Sequence, residues 1–257
     1  MDKPLMYDLF CGGGGAAKGY MDAGFRVVGV DIKPQPRYCG DGFIQMDALE
    51  FLERYLAGEF ERAQAFHASP PCQGYSIMRN LPWLRGKDYP LLIDPTRELL
   101  NSTGLPWVIE NVMGAHLDAG WLCGTMFGLP FYRHRYFEAN WLWLAPGHLK
   151  HVAVISAAGT LGGRARDIVF PVPAGNFDRW RASGDPMAAL MGKMATLGKW
   201  QNGAQAAGVG VGHAKGWRLA AEAMGIDWMK REDLTQAIPP VYTRHVGAQL
   251  LRQVTHA

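Results

Sequence analysis

Apolar positions in the first 140 residues fall into short blocks whose spacing alternates between strand-like and helical. LMYDLF (residues 5–10) is an apolar run that breaks at CGGGG, AAKGYMDAG then reads as a helix ending at Gly24, and FRVVGVD follows as a strand closed by an acid. Strand, glycine loop, helix and acid-ended strand predict the opening of a doubly wound nucleotide-binding sheet. Three later blocks continue it. AQAFHASPP predicts a strand ending just before a cysteine loop, LPWVIENV a strand ending in an acid, and HRYFEANW a further strand. The fold class expected is α/β, with a doubly wound, mostly parallel sheet.

Beyond residue 140 the pattern changes. Residues 141–216 are rich in Gly, Ala and Trp, carry scattered basic side chains and show no clear period, so they predict a small second lobe. WRLAAEAMGI resumes an amphipathic helix, and AIPPVYTRHVGAQLLRQV turns at its prolines into a last helix that should pack back on the first domain. The expected division is 1–140 with 217–257 as one domain and 141–216 as the other.

Composition narrows the class. A chain of 257 residues with 48% hydrophobic content can bury a sizeable core, which excludes extensive disorder. Cys11, Cys39, Cys72 and Cys123 are widely spaced without a CxxC pair, and the first residues hold no long apolar run. A cytoplasmic protein with reduced thiols, no membrane span and no zinc site is expected. The net charge of +3 permits a polyanionic partner without requiring one.

Two loops carry candidate chemistry. Glycines at 12–15 let a ligand approach the backbone closely, with the amides of the next helix pointing at it. The loop lacks both the spaced GxGxxG form and a GK[ST], which disfavours nicotinamide nucleotides and ATP and suits an adenosyl group without a phosphate chain. Asp31 either accepts the hydroxyls of a ribose or acts as a solvated loop acid or cap. Asp47 either meets an adenine amine or caps the helix ALEFLERYL. The second loop, SPPCQGYS, sets Cys72 behind two rigid prolines rather than among apolar neighbours, which suggests a thiol held still for use.

In this order, DLFCGGGGAAKG, SPPCQGYS, VIENV, LCGTMFGLPFYRHRYFE and AIPP resemble the successive motifs of DNA (cytosine-5) methyltransferases, particularly their short phage and plasmid forms. The resemblance covers most of the chain outside the 141–216 lobe. It implies the S-adenosylmethionine-dependent, Rossmann-like fold, with S-adenosylmethionine as methyl donor, S-adenosylhomocysteine as product and no metal. Phe10, Gly12, Gly14, Gly15, Asp31, Asp47, Pro71 and Gln236 are then the cofactor-binding residues. Cys72 becomes the nucleophile that adds to carbon-6 of cytosine, and Glu110 acts at ring nitrogen-3, where partial burial would raise its pKa. Arg135 would bind the pyrimidine oxygen with Arg133 in support. Double-stranded DNA is the implied partner of a monomeric enzyme that flips its target base, in a bacterial or phage-infected cell.

Gln73, Ser76, Arg79 and Arg97 are the expected nucleic-acid residues, with Arg97 either touching phosphate or bracing the loop; Arg85 and Lys87 are further phosphate candidates. Two departures from the family pattern stand out: Phe131 replaces a glutamine, and TQAIPP places Thr235 and Gln236 where glycine and asparagine are usual. A modified donor, an RNA substrate and a catalytically silent DNA-binding relative remain the alternatives.

Overall fold

The computed structural model describes residues 2–75, 89–115, 117–129, 133–148, 217–234 and 236–255, the side chains of 217–220 excepted. The chain divides into two units, Met1–Leu122 with His134–Ala145 and Ala237–Ala257, and Cys123–Arg133 with Pro146–Gln236. The sequence boundaries differ, because residues 141–145 group with the first unit and residues 123–133 and 217–236 with the second. There, helices α4 (Trp217–Met224) and α5 (Arg231–Leu234) pack on each other, and Met224, Ile226 and Leu234 are buried. Most of the expected lobe lies outside the described residues.

The first unit is built on a seven-stranded sheet of order β3-β2-β1-β4-β5-β7-β6. Its strands are β1 (Leu5–Leu9), β2 (Arg26–Asp31), β3 (Gly42–Gln45), β4 (Ala65–Ala68), β5 (Trp107–Asn111), β6 (Gly120–Leu122) and β7 (Arg135–Ala139). The first five are parallel, and β7 pairs antiparallel with both β5 and β6. Helices α1 (Gly15–Ala23), α2 (Ala48–Leu56), α3 (Ile93–Ser102) and α6 (Pro240–Thr255) complete the unit. This is the doubly wound fold read from the sequence. The short strands β3 and β6 and helix α3 were not foreseen, being too brief or too polar to show a period.

The two faces of the sheet differ in chemistry. Leu5, Tyr7, Leu9, Phe66, Ala68, Trp107 and Ile109 share an apolar core with Phe51 and Leu52 of α2 and Leu100 of α3. Because side chains alternate along a strand, the intervening residues point the other way. The parallel register aligns Gly29, Asp8, His67 and Val108 in one row across β2, β1, β4 and β5. The face bearing this row packs α1, whose Tyr20 reaches His67.

Helix α6 closes on α1, as expected from the sequence. Thr243 Oγ1 donates to Ala16 O at 2.9 Å, and a Cβ on Gly19 would lie 2.1 Å from Pro240 O. No real contact is that short, so Gly19→Ala must push the helices apart. The variant is expected to lose about 1–3 kcal/mol of stability or more, read from urea unfolding; an unchanged midpoint would contradict this packing.

Candidate active site

The strand order reverses at β1, with β2 on one side and β4 on the other. Ligands of doubly wound sheets bind outside the carboxyl ends of the strands at such a switch point. The loops leaving β1 and β4 are the glycine loop and the Cys72 loop, so the two candidate motifs meet there.

The glycine loop starts with strain. Phe10 has φ 56°, a left-handed conformation that a bulky side chain adopts at a cost of roughly 1–3 kcal/mol and that clusters at ligand sites. Gly12 N donates to Asp31 Oδ2 at 2.9 Å, and Lys33 N donates to Oδ1 at 2.9 Å. A Cβ on Gly12 would meet nothing within 4 Å, so the space beside its Cα is open, whereas one on Gly15 would lie 2.6 Å from Ile238 O. Gly14, at φ 85°, receives Cys39 Sγ on its carbonyl oxygen at 3.1 Å. Ile32, next to Asp31, is 63% exposed, an apolar surface that sequence reading missed. Of the two roles open to Asp47, the structure shows the cap: its Oδ1 accepts from Leu49 N and Glu50 N at the start of α2.

The Cys72 loop is pinned at its root. Ser69 N donates to Leu9 O at 3.0 Å, Asn111 Nδ2 donates to Pro70 O at 2.8 Å, and Tyr75 N donates to Cys72 O at 3.1 Å. Tyr75 Oη in turn accepts from Ile93 N. With Pro70 and Pro71 fixing φ between these anchors, Cys72 has little backbone freedom. Its side chain, like Pro71 and Gln73, is half-buried. The other thiols of this unit are poor nucleophiles, since burial pushes Cys11 far up and Cys39 up to about 12.

Glu110, one residue before the end of β5, lies on the same face as Asp8 and His67, and it is buried. Arg135 Nε lies 3.1 Å from its Oε1 in a largely buried ion pair, and Arg135 Nη1 donates to His134 O. Asn111, adjacent to Glu110, holds the thiol loop, so β5 positions both parts. Arg97 is occupied within the unit. Its guanidinium clasps Glu138 of β7 at 2.6 and 2.8 Å and meets Asp94 at 2.5 Å, which ties α3 to β7. In the second unit, Arg133 is buried and Gln236 is exposed, its backbone N–H donating to Asp233 O. Ser76, Arg79, Arg85, Lys87, Phe131 and Thr235 lie outside the described residues.

Sequence reading missed a buried polar cluster behind these loops. Asp8, His67 and Tyr20 are all fully buried; Tyr20 Oη lies 2.9 Å from His67 Nδ1, and His67 Nε2 lies 2.9 Å from Ser69 Oγ. Its signal was a single polar residue inside each apolar run, Asp8 in LMYDLF and His67 in AFHA. Burial, then the nearby Asp31 carboxyl, raises the Asp8 pKa well above the usual carboxylate range. Asp8 therefore offers little counter-charge to His67, 4.0 Å away, and burial pushes the imidazole down to about 3. The unfolded chain takes up a proton at this histidine below about pH 6.5 while the folded one does not. Stability contributed by neutral His67 is thus present above that pH and lost on acidification toward 3. Against His67→Gln, the wild type should lose about 1.4 kcal/mol per pH unit over that window in urea titrations; parallel curves would contradict a buried neutral imidazole.

No family model and no curated protein matches the chain. Solved structures do. A candidate DNA modification methyltransferase encoded within a prophage of E. coli aligns over 99% of this chain and 100% of its own, with 17% identity and a TM-score of 0.55. The Dnmt2 methyltransferase of S. pombe aligns over 98% of this chain and 99% of its own, with 13% identity and a TM-score of 0.51. At these identities the likeness shows a shared fold. Among the described residues, no helix is long and apolar enough to cross a membrane.

Proposed function

We propose that this chain transfers a methyl group from S-adenosylmethionine to carbon-5 of cytosine in double-stranded DNA, through a covalent adduct between Cys72 and a flipped base. The observation that carries this reading is the thiol loop, anchored at the switch point between the glycine loop and the strand that carries Glu110. Both solved relatives bear methyltransferase names and share the fold, which supports the same class of reaction.

The residues suit the donor. Asp31 uses one lone pair on each oxygen for Gly12 and Lys33 amides, so further pairs remain for ribose hydroxyls. Exposed Ile32 offers an apolar face to a planar ring, and the open space beside Gly12 admits the rest. When bound, S-adenosylmethionine supplies an electrophilic methyl group on a sulfonium. The chain's own groups do the remainder.

Cys72 Sγ, as thiolate, forms a bond to carbon-6 of cytosine, and the displaced electron pair makes carbon-5 nucleophilic. Glu110, ion-paired with Arg135 in the free protein, takes up a proton from solvent as the base enters and shares it with ring nitrogen-3, stabilising the negative charge that this addition creates, while Arg135 orients both Glu110 and the pyrimidine oxygen. Once carbon-5 carries the methyl group, its proton leaves to a base and the bond to Cys72 Sγ breaks, restoring the ring and the thiolate. The flipped base is required because neither carbon is reachable in a stacked duplex.

The test is nucleoside mass spectrometry of unmethylated duplex DNA incubated with purified protein and S-adenosylmethionine. The expected product is 5-methylcytosine. Unchanged cytosine with methylated RNA in a parallel incubation would move the substrate to RNA, and no methylated base in either would overturn the reading.

A further inference from the structure

We propose that His67 is a positioning residue for the Cys72 loop: its imidazole, held between Tyr20 of α1 and Ser69 at the loop root, sets where the thiol stands. The inference rests on reading Cys72 as the nucleophile. It assigns a role to a group that has no place in the methyl-transfer chemistry itself.

The geometry forms one continuous chain of contacts. Tyr20 belongs to the helix that begins at the glycine loop, His67 to β4, and Ser69 to the first residue after that strand. A neutral imidazole has one N–H, so one ring nitrogen donates and the other accepts, and the two hydroxyls can fill whichever roles are left. Ser69 is thereby fixed at both its amide, on Leu9 O, and its hydroxyl. From Ser69 to Cys72 the chain passes only through Pro70 and Pro71, and Pro70 O is held by Asn111. Restricted φ at both prolines means that a shift at Ser69 is passed to Cys72 rather than absorbed on the way.

A purely structural core would not need this residue. The strand position is fully buried, and a branched aliphatic side chain would fill it without desolvating an imidazole. The groups that face His67 are Asp8 of β1, Tyr20 of α1 and Ser69 of the loop, and Asp8 and Tyr20 are fully buried with it. Such a cluster sits beneath one loop root, with the thiol three residues beyond it.

Two conservative variants separate the halves of the clamp. In His67→Asn the amide reaches the Nδ1 position and keeps Tyr20 while releasing Ser69. In His67→Gln it reaches the Nε2 position and keeps Ser69 while releasing Tyr20. The expected result is a fall in kcat of about 10-fold or more for His67→Asn, with KM for S-adenosylmethionine within about 3-fold, and recovery of most of kcat in His67→Gln. Alkylation of Cys72 by iodoacetamide, followed on its own peptide by mass spectrometry, should change in rate for His67→Asn and return toward wild type for His67→Gln. This second readout needs no methyl transfer, so it tests the positioning role even if the proposed reaction fails. Equal loss of kcat in both variants, or melting temperatures that fall while Cys72 alkylation stays at the wild-type rate, would reduce His67 to a core residue and overturn the proposal.

Discussion

Cys72→Ser is expected to abolish transfer of label from methyl-tritiated S-adenosylmethionine to DNA, lowering turnover by about 10^4-fold or more. A serine hydroxyl is hardly ionised near neutral pH, and an alkoxide is a poorer leaving group than a thiolate, so both the addition and the final elimination suffer. The fold should be untouched, because the half-buried thiol is replaced by a smaller group of like shape on a loop whose anchors are backbone atoms and the side chains of Ser69, Tyr75 and Asn111. DNA affinity, read by gel shift, should stay within about 3-fold, since the side chain contributes one contact among many. Retained turnover in the serine variant would remove the covalent mechanism. Absent turnover in both proteins, with DNA binding intact, would point to a binding module on a methyltransferase fold.

Glu110→Gln carries the second largest effect. The amide keeps the shape of the carboxyl and can still hydrogen-bond, but it can neither deliver nor hold a proton at ring nitrogen-3. A loss of about 10^2- to 10^4-fold in kcat is expected, the usual size of a general acid's contribution. The same change removes the counter-charge 3.1 Å from Arg135 Nε, leaving a largely buried guanidinium without it. The melting temperature should therefore fall as well, because an uncompensated buried charge is costly. The two effects are separable by assaying where circular dichroism shows the variant fully folded. If the rate there matches the wild type, Glu110 is only a brace for Arg135 and β7.

The stability consequences of Gly19→Ala and the acid sensitivity tied to His67 test a different layer, the packing that holds these loops. They should respond even in a protein that methylates nothing, and they tie the site to the fold that presents it.

Much of this architecture is local and was therefore legible. Short apolar runs bounded by glycine or proline mark β1, β2, β4 and β5, and the helical period of ALEFLERYL gives α2, although the sequence left Asp47 between its cap and an adenine contact. Glycine at 24 ends α1 in the left-handed cap that only glycine adopts cheaply. The thiol between prolines and the acid at a strand end are likewise read from covalent neighbours. Strands β3 and β6 were not, since three or four residues at the edge of a sheet owe their conformation to a partner strand.

The side-chain pairings belong to that second kind. Nothing near Arg97 in the chain says that its guanidinium clasps Glu138, 41 residues away, instead of standing free for a phosphate. Nothing near His67 says that Tyr20 and Ser69 will meet its two nitrogens, or that Asp8 will lie beside it on the next strand. Periodicity and turn chemistry act over a few residues and survive in any chain that carries them. Which polar groups share a buried space depends on strand order and register, and those emerge only when the whole sheet has closed.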